Sequence, residues 1–137
     1  MAGFLTVSIA YAIRYGYGIL LPEMLITLKI SKTEAGVIYA SYFLAYTLGS
    51  PVVGLLSDRY NVRVILALFT ALLGLGAMLM ALADSVLSAS LIFTVAGLGH
   101  AACWAPVVAL VQKWVPDTRR GTALAFATLG SGSGIAL

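Results

Sequence analysis

The chain has 137 residues, 61% of them hydrophobic and 9% charged, with a net charge of +3 and a mean hydropathy of +1.03. Soluble domains are about 45–50% apolar and about 25% charged, so this chain has too little polar surface to cover itself in water. That excludes an ordinary soluble domain, a disordered chain and a nucleic-acid binder, and a single Cys with a single His builds neither a disulfide framework nor a zinc site.

Charged residues cut the sequence into blocks of membrane length. The first, Met1 to Pro22, is interrupted only by Arg14. It has no basic leading region, and an arginine follows its apolar stretch, so it does not read as a secretory signal. Ala35 to Ser57 is 23 residues free of Asp, Glu, Lys and Arg, Val64 to Ala83 is 20, Ser85 to Gln112 is 28 and Gly121 to Leu137 is 17. A bilayer core about 30 Å thick takes roughly 20 apolar residues of helix. The blocks are apolar on all faces, unlike the alternating segments of an outer-membrane barrel, and helices satisfy their own backbone groups in lipid. The expectation is an all-α membrane protein with spans near 3–25, 34–56, 62–83, 86–112 and 119–137. The fifth span stops with the sequence, as in a piece of a longer protein.

The connections are short. Ser31-Lys32-Thr33-Glu34 fits a capping box opening the second span. Asn61 can start the third, Asp84-Ser85 separates the third and fourth, and Asp117 or Thr118 after Pro116 is the expected N-cap of the fifth. Arg59 and Arg63 lie between spans two and three, and Lys113, Arg119 and Arg120 between four and five. None lies between three and four, whereas Lys29 and Lys32 fall between one and two. The positive-inside rule puts the second and fourth connections and the N-terminus in the cytoplasm, five basic residues against two. The expected location is the plasma (inner) membrane.

Gly54-Leu55-Leu56-Ser57-Asp58-Arg59-Tyr60-Asn61-Val62-Arg63 closes the second span. It resembles the Gly-x-Leu-x-Asp-Arg-x-Gly-x-Arg signature between helices two and three of the major facilitator superfamily. Asn61 replaces the usual Gly and tolerates the same turn geometry better than other side chains. Lys113-Trp114-Val115-Pro116-Asp117-Thr118-Arg119-Arg120-Gly121 is similar to the Trp-x-Pro…Arg-Gly connection between helices four and five of many members. The resemblance implies the first four and a half of twelve helices, in a partial N-terminal six-helix bundle. It implies a secondary active transporter of a small solute, working by alternating access with a C-terminal half and a coupling proton or exchanged anion. It also implies a charge cluster of Gly54, Asp58, Arg59, Arg63, Arg119 and Arg120 that latches the two halves. Asp58 would sit near a helix N-terminus of the other half, where a carboxylate gains about 0.3–1 kcal/mol.

Arg14 is the most informative single residue. A mid-helix arginine costs about 2.5–3.5 kcal/mol on insertion scales, so it is expected to face the bundle interior or a water-filled cavity. Tyr11, Tyr17 and Gly18 share its face and Tyr15 is its neighbour. A guanidinium among phenols suits a carboxylate or phosphate; the competing reading is an arginine neutralised by an acid elsewhere. Tyr11-Ala12-Ile13-Arg14 with Pro22 eight residues later resembles the first helix of the organophosphate:phosphate antiporter, or sugar-phosphate permease, branch. That branch's phosphate transporters carry a Lys three residues before the motif Gly, where this chain has Pro51, which leaves carboxylates open.

Tyr39, Tyr42, Phe43 and Tyr46 share one face of span two, as a cavity wall or as helix packing. His100 in span four is a candidate proton or substrate relay, or a neutral histidine bonded to a neighbouring helix. Cys103 reads as a small packing residue. Gly97 with Ala101, and Gly130-Ser131-Gly132-Ser133-Gly134, present small-x-x-x-small packing surfaces. Pro22 and Pro106 each follow an intramembrane ionisable group and precede a Lys by seven residues, a weak sign of two inverted three-helix repeats. An intramembrane enzyme would need Ser131 or Ser133 with His100, without a Gly-x-Ser-x-Gly motif or an orienting acid. There is no Walker loop, so no nucleotide or other cofactor is expected. The alternative to a transporter is a non-transporting membrane sensor or assembly protein.

Overall fold

The computed structural model describes residues 2–136, with side chains described over 3–134; Met1 and Leu137, the outer ends of the first block and of the fifth expected span, lie outside the described residues. Among the described residues six α-helices follow one another: α1 (Ala2–Thr27), α2 (Lys32–Arg59), α3 (Val62–Leu79), α4 (Val86–His100), α5 (Ala105–Trp114) and α6 (Arg120–Ala136). Short 3-10 turns occupy Met80–Leu82 and Asp117–Arg119. Four segments among the described residues are long and apolar enough to cross a membrane: Gly3–Thr27, Lys32–Arg59, Val62–Leu82 and Val86–Trp114. Ile19, Ile26, Leu48, Met78, Leu82 and Leu87 point outward, each more than two-thirds exposed. In water such a surface would aggregate; against lipid tails it is the matching solvent. The chain is an all-α, multi-pass integral membrane protein.

The helix starts follow local chemistry. The Ser31 hydroxyl accepts the Glu34 backbone N–H at 3.2 Å, and the Glu34 carboxylate accepts the Ser31 N–H at 2.7 Å, which is the expected capping box. Lys29 takes a left-handed backbone (φ 52°) and turns the chain between α1 and α2. Asn61 Oδ1 accepts the Arg63 N–H at 3.0 Å to open α3. Ser85 and Ser88 form a second capping box at α4. The start of the last helix differs from expectation. Asp117 and Thr118 lie in the 3-10 turn that follows Pro116, and α6 begins only at Arg120.

The fourth expected span is also not one helix. It breaks at Ala101–Trp104 into α4 and α5. Pro106 has no N–H to give to the Ala102 carbonyl, and its ring would collide with that carbonyl in a continued helix. The ladder tightens instead: Ala101 N–H is shared between the Gly97 and Leu98 carbonyls, and Cys103 N–H turns back to His100 O at 2.9 Å. Pro106 then sits in the first turn of α5, where its missing donor costs least. Pro22 and Pro51 lie inside unbroken helices.

α4 packs between α2 and α3, and α1 pairs with α6. The pairs α2–α4 and α1–α6 exchange places if spans one to three are swapped with spans four onward, the relation expected of an inverted repeat. Contact is close because glycines remove the intervening Cβ. A methyl at Gly97 would run into the Tyr42 backbone on α2, and Ala101 on the same stripe rests against Gly49. Gly130 and Gly134 seat on the Phe4 and Ser8 carbonyls of α1, where the Ser8 and Ser133 hydroxyls lie 2.9 Å apart.

Candidate functional site

Arg14 enters from the middle of α1 and is half-buried. Its Nε points at the Tyr39 hydroxyl of α2 at 3.4 Å, a long contact, and its guanidinium carbon lies 5.8 Å from the Phe43 ring and 5.9 Å from the Tyr15 ring. These are weak partners for a charge inside an apolar slab. Among the described residues the one ion pair is Asp117 with Arg120, so no acid neutralises Arg14 there. Its two terminal nitrogens keep the parallel N–H pair that binds a carboxylate or phosphate end-on.

Next to it lies a stacked aromatic network. Tyr39 stacks on Tyr42 at 6.1 Å between ring centres, and Tyr42 on Phe93 at 4.7 Å. Tyr17 lies against Phe93 at 4.9 Å and its hydroxyl donates to the Ala35 carbonyl at 2.7 Å, tying α1 to α2. His100, the last residue of α4 and 1% exposed, has Nδ1 2.6 Å from the Tyr42 hydroxyl. When the phenol is the donor, the imidazole is neutral and carries its proton on Nε2. The ring of Tyr46 meets it nearly perpendicular at 5.0 Å between ring centres, and that of Tyr11 is tilted against it at 5.8 Å.

Thus Arg14, Tyr11, Tyr39, Tyr42, Tyr46 and His100, picked out on three separate spans, are brought to one place. Tyr42 and His100 form its buried floor, while Arg14, Tyr11, Tyr39 and Tyr46 are half-buried. The sequence reading missed Phe93, which joins Tyr17 to Tyr42. A lone Phe in a long apolar block carries no signal of its own. Ser131 and Ser133 do not meet His100: their hydroxyls donate to the Thr128 and Gly130 carbonyls of their own helix.

Among the described residues, the charged residues of the motif form no ion pair with one another. Asp58 and Arg59 are exposed at the end of α2, and Asp58 has no ion-pair partner among the described residues. Gly54 and Asp58 border an open cleft of about 450 Å³ facing Trp104, Val108 and Gln112. Arg63 stands with its guanidinium 4.5 Å from the Trp114 ring centre. Arg120 donates to the Gln112 carbonyl at 2.7 Å and the Val115 carbonyl at 3.2 Å. These carbonyls are orphaned at the C-terminal end of α5, where a cation is also favoured by the helix dipole. Arg119 remains exposed. Asp58 is not ion-paired with Arg59, Arg63, Arg119 or Arg120 among the described residues, while Arg63 and Arg120 reach α5.

A multi-pass bundle with an arginine, phenols and a histidine gathered inside its apolar body has the build of a polytopic membrane protein with a polar interior site. The chain belongs to the Major Facilitator Superfamily, whose family model matches residues 3–137. It is similar to the "Hexuronate transporter" of Bacillus subtilis, 28% identical over 98% of this chain and 32% of the relative. It is also similar to the "Probable 4-methylmuconolactone transporter" of Cupriavidus pinatubonensis, 31% identical over 88% of this chain and 28% of the relative. A "Probable hexose phosphate transport protein" of Chlamydia pneumoniae is 24% identical over 82% of this chain and 25% of the relative. The chain spans between a quarter and a third of the length of these relatives, all of which are named as transport proteins.

Proposed function

We propose that the chain supplies part of the N-terminal bundle of a secondary transporter for a small organic anion, a carboxylate or an organophosphate. The observation that carries this reading is Arg14. A guanidinium placed mid-helix and half-buried, with no acid to neutralise it among the described residues, is a costly arrangement that an anionic ligand would repay. Tyr11, Tyr39 and Tyr46 line the approach with phenols, and the Tyr42–His100 pair forms a floor able to offer one further donor, or to handle a coupling proton. The relatives' names support an anion, since a hexuronate and a hexose phosphate are both anionic sugars.

In this reading the site lies at the membrane midplane between two bundles, the second supplied by a C-terminal half, and opens alternately to each side. Gly54, Asp58, Arg59, Arg63, Arg119 and Arg120 belong to the rim that meets that half, with Asp58 left free to engage a helix N-terminus there. The N-terminus lies in the cytoplasm and the membrane is the plasma membrane. Energy comes from a coupled proton or an exchanged anion. The test is uptake by the purified full-length protein in proteoliposomes, across a panel of sugar acids, aromatic-derived carboxylates and sugar phosphates. Saturable uptake of one anionic class is expected. Transport confined to cations, or no saturable uptake of any anion, would overturn the reading.

A further inference from the structure

Arg63 occupies the second position of α3, next to the N-cap Asn61. A cation there opposes the helix dipole, so its placement is not explained by α3. Its side chain leaves its own helix and lies over the indole of Trp114, the last residue of α5, 4.5 Å from the ring centre. That is the negative end of the α5 dipole, and Arg120 converges on the same end through the Gln112 and Val115 carbonyls. No carboxylate pairs with Arg63 among the described residues, so the link is a cation–π contact rather than an ion pair.

The link matters because of what surrounds it. Asp58 is the second-to-last residue of α2, and only Tyr60 and Asn61 separate α2 from α3. α2 and α3 pack far less on each other than on α4, and an open cleft beside Gly54 and Asp58 lies between α2 and α5, which touch only lightly. Beside that cleft, the α2–α3 turn that follows Asp58 is tied to α5 through Arg63, at the start of α3, and Trp114.

We propose that Trp114 is a positioning residue for Asp58: its indole clamps Arg63, so that the α2–α3 turn and the C-terminal end of α5 move as one body when the two halves of the transporter separate. The inference rests on the reading of Asp58 as the latch between the halves. Trp114→Leu keeps apolar bulk but loses the ring face, whereas Trp114→Phe keeps a ring face.

The experiment uses the full-length protein in inside-out vesicles, in a cysteine-free background carrying Ala109→Cys, which lines the Asp58 cleft. The readout is the rate of reaction with a membrane-impermeant maleimide. Asp58→Asn should accelerate labelling by releasing the closed end state. Trp114→Leu and Arg63→Gln should each accelerate it by roughly 2- to 5-fold, the range for a cation–π contact between two exposed groups. Trp114→Phe should restore most of the slow rate, and Trp114→Leu should add little once Asp58→Asn is present. If Asp58→Asn labels at the wild-type rate, the latch reading falls and the proposal falls with it. If Asp58→Asn accelerates labelling but Trp114→Leu does not, or adds its full effect on top, the positioning role is wrong and the latch stands. Equal acceleration by Trp114→Phe and Trp114→Leu would also overturn it, leaving Trp114 as simple packing.

Discussion

Arg14 and Tyr42 sit a few ångströms from the same network yet should fail in different ways when changed. Arg14→Lys keeps the charge and loses the bidentate fork; Arg14→Ala loses both. Anion binding by the full-length protein should fall in the order Arg, Lys, Ala while insertion persists. A hydrogen bond to a charged group contributes about 1.5–3 kcal/mol, so Arg14→Ala should weaken affinity by roughly 10- to 150-fold. Ligand-induced thermal stabilisation would measure this, and equal binding by Arg14→Ala would remove the arginine from the site. Tyr42→Phe instead strips the partner from the buried His100 Nδ1. It should cost about 1–3 kcal/mol of stability in a thermal or denaturant melt, the range for a buried polar atom left unpaired. Tyr46→Phe is the control: the ring stays against His100, its hydroxyl has no hydrogen-bond partner among the described residues, and the change should stay within about 0.5 kcal/mol. The two variants melting alike would show that the Tyr42–His100 bond contributes nothing.

At the scale of elements, the α2–α4 seam depends on the missing side chain of Gly97. Gly97→Ala would push a methyl into the Tyr42 backbone, where no side chain can swing aside, and overpacking of this kind costs about 1–3 kcal/mol. Gly18→Ala on α1 meets nothing within 4 Å and should be neutral, or stabilising by up to about 1 kcal/mol through helix propensity. Melting both variants in detergent separates the seam from general glycine effects; a Gly97→Ala protein as stable as wild type would mean that the helices do not approach here. Much of this layer was legible in the sequence. Charge-free runs located the long helices, Ser31 and Glu34 marked a cap, and the spacing of Tyr39, Tyr42 and Tyr46 put them on one face. The break at Ala101–Trp104 was not legible. Its signal, Pro106, is the same signal that Pro22 and Pro51 give without breaking α1 or α2, because neighbouring helices decide whether a freed carbonyl is tolerated. Nor could the sequence say that Tyr42 would face His100, which depends on which helices pair, or that Arg63 would leave its motif for Trp114.

At the scale of the whole molecule, the bundle sorts its basic residues by end. The Arg63–Trp114 contact places the α2–α3 and α5–α6 connections at one end, and the large apolar cleft of about 700 Å³ that Arg63 and Trp114 share with Gly3 and Phe4 puts the start of α1 there too. That end carries Arg59, Arg63, Lys113, Arg119 and Arg120; the opposite end carries Lys29 in the α1–α2 connection, Lys32 at the start of α2, and only Asp84 between α3 and α4. Each cation near an anionic cytoplasmic leaflet gains about 1 kcal/mol, so an excess of three favours the richer end facing the cytoplasm by about 3 kcal/mol. Acids contribute little to this choice, so Asp58 and Asp117 do not cancel it. A cysteine at Asn61, in a cysteine-free background of the full-length protein that includes Cys103→Ala, should resist impermeant maleimide in intact cells and react after permeabilisation. One at Asp84 should react from outside without permeabilisation. Asn61 is exposed between two helices and Asp84 is exposed in its turn, so neither probe is hidden by packing within the bundle. External labelling at residue 61 would invert the molecule, and Asp58 with the Arg63–Trp114 clamp would then face the outer side, where a cytoplasmic latch has nothing to close.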